Sequence, residues 1–320
     1  VDKTLLIGNG LNLTAGAISW NEMLDDLCPA SLRITSDDEN EEQVPLPIQF
    51  EIMGAKEGVR TPERRRDPYL VLKEKVKERL LENLPEPSSL HKQVYRTGIN
   101  NIITTNYDYA LESCSPRWDR LKARKWNPQQ KYMLESTGSV EGIDFYHAHG
   151  TYDVVTSICI GYEHYMGYVQ HMRSLLIGAK PKDETADGPL GVARLLAGEE
   201  TSLIGTWPAL FFSSDVAIVG LGLSFSEIDL WWLLAFRAAF FSGNHERVTK
   251  RNRIVYFDVK EAKDDEDRNA MEKRLKKCAK AIALDGLDVT YVPVVREGYQ
   301  RGYSEVFDLL KSKDDWADIE

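Results

Sequence analysis

Short apolar runs that stop at a glycine or a polar turn, and alternate with stretches of helical pattern, constrain this chain more than any other feature. The first, Lys3-Thr4-Leu5-Leu6-Ile7, runs directly into Gly8-Asn9-Gly10, the pattern of a buried parallel strand followed by a tight turn. Similar runs recur at 101–105, 144–148, 154–160, 216–219, 253–258 and 289–295. Such runs separated by helical patterns predict an α/β fold with a mostly parallel sheet. Helical patterns are clearest over 68–83, 163–176, 226–241 and 264–284, and Trp20 to Leu27 also looks helical. The first carries Lys73, Lys75, Lys77 and Arg79 as an expected solvated face, and Pro85-Glu86-Pro87 beyond it is a stop signal. Residues 35–47, with the acidic run Asp37 to Glu42, and residues 177–191 are expected to be loops.

The chain has 320 residues, enough for two domains of ~150 residues or for one large α/β domain with insertions. We read one domain over 1–320, with helical or loop insertions at about 20–98 and 163–210. Forty basic against fifty acidic residues leave a formal charge of −10. That field repels phosphate backbones and disfavours direct nucleic-acid binding. Cys28, Cys114, Cys159 and Cys278 form no CxxC pair, so neither a zinc ribbon nor a disulfide framework is expected. With no signal-peptide pattern at its start, the chain is expected to be cytoplasmic. The longest apolar stretch, Leu230 to Phe241, contains Arg237 and falls short of the about twenty residues of a membrane span. It reads as a helix that is either buried or covered by a partner, another copy of the chain included.

Four strand ends carry residues suited to chemistry. Gly8-Asn9-Gly10-Leu11-Asn12 is a candidate nucleotide loop, because small residues let backbone amides approach a phosphate; a plain strand–helix turn is the alternative. Leu13 holds the place of the third glycine of a dinucleotide fingerprint, no acidic residue closes a second strand about twenty residues on, and no GxxxxGK[ST] occurs. A dehydrogenase and a P-loop enzyme are therefore disfavoured. Thr104-Thr105-Asn106-Tyr107-Asp108 offers an amide able to hold sugar hydroxyls or water and a carboxylate to orient them, or else a helix cap. In His147-Ala148-His149-Gly150, alternation puts both imidazoles on one side if the strand extends that far. Histidine suits a general base, but packed core histidines are common. A metal is not expected, since only Asp153 or His164 stands near as a third ligand. Gly220-Leu221-Gly222-Leu223-Ser224 resembles a second phosphate or ribose cradle, and Asp258, at the end of the 253–258 run, can contact a ribose or simply be solvated.

Taken together, GNGxN at 8–12, TTNYD at 104–108, HAHG at 147–150 and GLGLS at 220–224, in this order, resemble the sirtuin superfamily. The chain looks most like the bacterial sirtuin-like NAD-hydrolase branch associated with antiphage defence. The resemblance spans about residues 3–260 and includes the aromatic-rich segment at 158–165. It implies a Rossmann-like, mostly parallel sheet with helices on both faces, a helical insertion and no zinc module. It also implies NAD+ as the substrate, cleaved to nicotinamide and ADP-ribose, and a role in depleting NAD during infection. Gly8, Asn9, Gly10, Asn12 and Thr105 would then belong to the NAD site. Asn106 would hold the nicotinamide ribose or the attacking water, Asp108 would lie near nicotinamide, and His149 would be the general base. Gly222, Ser224 and Asp258 would face the phosphates and the adenosine ribose. Implied partners are further copies of the chain or an accessory defence protein. The chain lacks the four-cysteine zinc module and the Pro-Asp-Phe-Arg segment of protein-deacylating sirtuins, which puts an acyl-lysine groove in doubt. An NAD-dependent deacylase and a non-catalytic NAD or ADP-ribose-binding module are the competing readings.

Overall fold

Seven strands form one sheet in the computed structural model, which describes residues 2–27, 44–60, 67–119, 125–178, 190–199, 201–243, 251–262, 264–313 and 316–319. They are β1 (Asp2–Ile7), β2 (Asn101–Thr104), β3 (Gly138–Val140), β4 (Ile143–His147), β5 (Ser214–Val219), β6 (Ile254–Glu261) and β7 (Thr290–Arg296), in the spatial order β3-β4-β2-β1-β5-β6-β7. Only β3 is antiparallel, joined to β4 as a hairpin. The six parallel strands, counted along the chain, lie in the order 3-2-1-4-5-6. This is the doubly wound Rossmann-like arrangement, whose strand order reverses beside β1.

Helices follow in chain order: α1 (Gly10–Leu13), α2 (Trp20–Leu27), α3 (Leu46–Arg60), α4 (Pro68–Glu82), α5 (Ser89–Arg96), α6 (Tyr162–Ile177), α7 (Leu190–Leu196), α8 (Trp207–Ser213), α9 (Ile228–Ser242), α10 (Asp265–Leu275), α11 (Ala279–Gly286) and α12 (Tyr299–Ser312). Side-chain alternation along the strands divides the core. Leu6, Ile103, Ile218 and Tyr256 pack with α6, α8 and α9 on one face. Leu5, Ile7, Ile102, Val219 and Phe257 pack with α5 and α12 on the other. A third cluster gathers α2, α3 and α4 around Tyr107, Ile158 and Ile160. Both faces are covered, so the central strands must be apolar on both sides, as the unbroken run of β1 is.

The run at 154–160 is not a strand. It makes a 3₁₀ turn at Val155–Ser157, and its isoleucines enter the third cluster instead of a sheet. Gly150 forces this fold-back: at φ +87°, it lies so close to Ser157 that a Cβ would come within 2.1 Å of the Ser157 carbonyl oxygen. The helical pattern over 264–284 is interrupted between α10 and α11. Helix α3 begins at Leu46, inside the stretch expected to be a loop, while the acidic run Asp37 to Glu42 and most of 177–191 lie outside the described residues. Lys73 leaves the expected solvated face and turns inward, its Nζ 2.6 Å from His164 Nδ1. Among the described residues no helix is long and apolar enough to cross a membrane.

Candidate active site

Because the parallel strands point the same way, the loops after β1, β2, β4, β5 and β6 meet at one edge of the sheet. A cavity of about 770 Å³ opens there, lined among others by Gly10, Thr105, His149, Gly222, Ser224 and Asp258. It lies where ligands bind in doubly wound sheets, beyond the carboxyl ends at the reversal of strand order.

His149 stands just past the end of β4 and Asp229 in the first turn of α9, which follows β5, so the two approach from strands separated by β2 and β1. His149 Nε2 donates to Asp229 Oδ2 at 2.9 Å, and both side chains are buried. That bond leaves Nδ1 as the nitrogen able to take up a proton. Burial alone lowers the pKa of His149, but the charge and hydrogen bond of Asp229, helped by Glu227, outweigh it and raise the value. Asp229 Oδ1 and Glu227 Oε2 are buried and accept no hydrogen bond. Burial pushes the Glu227 carboxyl up to about 7, so it can exchange a proton near neutrality beside the cavity it lines.

His147 has a different role from His149. The strand ends at His147, so alternation does not carry on to 149 and the two rings face separate partners. His147 Nδ1 lies 2.8 Å from the Asn106 carbonyl and Nε2 lies 2.8 Å from Glu112 Oε1. Both partners are acceptors, which only the doubly protonated ring satisfies. Burial opposes that charge, and Glu112 restores it, raising the pKa. His147 thus anchors the backbone of Asn106. His164 is likewise occupied, between Lys73 and the Lys131 carbonyl.

Asn12 and Asp108 meet behind the cavity. Asn12 Nδ2 donates to Asp108 Oδ2 at 2.7 Å, and His91 Nε2 donates to Asn12 Oδ1 at 2.8 Å. The other Asp108 oxygen accepts from the Ala110 amide. This network fixes the loops after β1 and β2 against each other. Asn106 and Asp108 line a smaller adjoining cavity, which shares Asn9, Trp20 and Tyr107 with the large one. The Asn106 side chain donates to the Gly8 carbonyl at 3.4 Å.

Gly8 and Gly10 allow two loops to touch. Their amides donate to the Val219 and Gly220 carbonyls at 3.0 and 2.7 Å, and a Cβ on Gly10 would strike the Tyr303 hydroxyl and Gly220. Both amides therefore serve the seam between β1 and β5, and Asn9 Nδ2 is turned to the Ile18 carbonyl. On the far side, the Gly222 carbonyl accepts from Lys280 Nζ, and Ser224 Oγ lies 3.0 Å from Ser226 Oγ. Phe225 stacks on Trp231 at the rim, 57% exposed. Asp258 does not end its strand, since β6 continues to Glu261. Its oxygens are held by the Tyr291 hydroxyl at 2.6 Å and by Lys260 at 3.2 Å.

Asp229, Glu227, Cys159 and Lys280 were not singled out by sequence reasoning. The first two looked only like the opening of a helix, and nothing local links them to a histidine on another strand. The chain matches no protein-family model, and a search of curated proteins finds no match.

Proposed function

We propose that this protein is a sirtuin-like NAD+ glycohydrolase, cleaving the nicotinamide–ribose bond to release nicotinamide and ADP-ribose, with NAD depletion in antiphage defence as its role. The observation that carries the reading is the His149–Asp229 pair at the wall of a cavity that extends along the carboxyl edge of the sheet to Asp258. That volume lies within the range of sites that enclose small molecules and cofactors.

Nicotinamide leaves NAD+ as a neutral molecule from a cationic precursor, so its departure needs no strong acid. The protein must instead orient the ribose, stabilise an oxocarbenium-like centre and present water. In this reading the nicotinamide ribose lies between the two cavities, where Asn106 holds a hydroxyl or the water. His149 Nδ1 accepts the proton, and Asp229 keeps the ring in the tautomer that leaves Nδ1 free. Carboxylates of Asp229 and Glu227 favour the positive charge that develops on the sugar. Thr105, Gly222 and Ser224 border the remainder of the dinucleotide, with Lys280 placed to meet its phosphates.

The test is a time course of purified protein with NAD+, separating nicotinamide, ADP-ribose and cyclic ADP-ribose by chromatography. Nicotinamide is expected to appear with the unmutated chain and to fall at least ~100-fold in His149→Ala and Asn106→Ala. Turnover retained by both variants would remove the site assignment. Release dependent on an acylated peptide would favour the deacylase reading.

A further inference from the structure

Below His149 the cavity wall holds a second arrangement of donors. His149, Cys159 and Asp229 bring one nitrogen, one sulfur and one carboxylate oxygen within 4.8 Å of one another. They come from three elements: the loop after β4, the segment before α6 and the first turn of α9. The first two are fixed together, because the Cys159 amide donates to the His149 carbonyl at 2.8 Å. All three are buried, and His149 and Cys159 line the large cavity, which gives an entry path. Independent of this spacing, Asp229 is fully buried yet its Oδ1 has no hydrogen-bond partner. Such an orphaned carboxylate oxygen is costly unless something positive meets it.

We infer that His149, Cys159 and Asp229 form a zinc site, whose occupation switches off the proposed reaction by taking the general base. Mixed sulfur, nitrogen and oxygen donors suit Zn2+, which commonly takes three protein ligands and leaves a fourth position open. Bond lengths of about 2.0–2.3 Å in a tetrahedron place neighbouring donors about 3.5 Å apart. The three donors already lie within 4.8 Å of one another, and binding would require the 2.9 Å His149–Asp229 contact to open by about 0.6 Å toward that spacing. Binding through Nε2 forms one Zn–S, one Zn–N and one Zn–O bond, releases the Cys159 thiol proton to solvent and shifts the Nε2 proton of the neutral His149 ring to Nδ1, which can then no longer accept one. Burial and the Asp229 carboxylate hold the Cys159 thiol well above its ordinary value, against the opposing charge of Lys73, so the thiolate forms only as the metal takes the sulfur. The fourth position faces the cavity.

The inhibitory half of this inference rests on the hydrolase reading, and the binding half does not. The full-length protein, stripped with a chelator, is titrated with Co2+ as a spectroscopic probe and with Zn2+ against a chromogenic chelator. We expect one zinc per chain and a thiolate-to-cobalt charge-transfer band. The band should vanish in Cys159→Ala and in the closer-shaped Cys159→Ser, with zinc affinity reduced at least ~100-fold. A missing band in the unmutated protein, or one that survives both substitutions, overturns the site. NAD+ cleavage is expected to fall more than ~10-fold when zinc saturates the protein and to recover on chelation; unchanged cleavage at saturation overturns the switch. If the metal-free protein releases no nicotinamide at all, the hydrolase reading fails, and the cobalt band still decides the metal site.

Discussion

Asp229 sets both the orientation and the basicity of His149, so one oxygen atom should control rate and pH response together. A base works only when unprotonated, and NAD+ cleavage is therefore expected to rise with pH through the raised pKa of His149. In Asp229→Asn the burial of His149 is opposed only by Glu227, so the ring loses its proton more readily and the acid limb of kcat/KM moves to lower pH. The plateau should fall about 10²–10⁴-fold, because the amide no longer selects the productive tautomer. An acid limb that stays in place would show that another group titrates. Of the residues in this pair, the histidine was legible in the sequence, because HAHG follows a strand-like run. Its carboxylate was not, since Asp229 lies 80 positions away and meets His149 only across the carboxyl ends of β2 and β1, which lie between their strands. Asn12 and Asp108 were visible as polar residues after strands, but their bond to each other is equally non-local.

Element by element, the strands were the readable part, because strands buried on both faces must be continuous apolar runs. The misreading at 154–160 has the same origin: Val154, Ile158 and Ile160 are buried too, but the two isoleucines pack against helices α2, α3 and α4. What separates the two outcomes is Gly150, whose backbone and lack of a Cβ let the chain turn back on Ser157. Gly150→Ala should therefore cost about 2–5 kcal/mol, the sum of left-handed strain and overpacking. Gly142→Ala, also at positive φ but with open space around it, should cost only about 1–2 kcal/mol. Urea denaturation of both variants checks this, and equal losses would count against the packing argument. Helix α5 was missed because its capping box uses His91 where glutamate or glutamine is usual. Helix α12 was available in the pattern, with Tyr303, Val306, Phe307 and Leu310 buried at helical spacing.

At the scale of the whole molecule, the order 3-2-1-4-5-6 puts the loops after β1 and β5 side by side, and the cavity is built around that seam. A dinucleotide bound there touches both halves of the sheet and should stabilise the fold as one unit. In His149→Ala, which leaves the substrate intact, NAD+ at a hundredfold excess over its Kd is expected to add about 2.7 kcal/mol to unfolding stability. No stabilisation by NAD+ or ADP-ribose, read from the denaturation midpoint, would argue that the cavity takes another ligand.

The seam at Gly10 also has a temporal meaning. Tyr303 of α12 closes over Gly10, and at the other end of β1 Lys3 reaches across 310 positions to the Lys313 carbonyl. The partners of each contact are translated far apart. A nascent chain lacking α12 has the glycine turn and His149 but not the wall that closes on that turn. Such a chain carries an unfinished pocket, and on the function proposed above it would not turn over NAD+ until α12 had been made and packed.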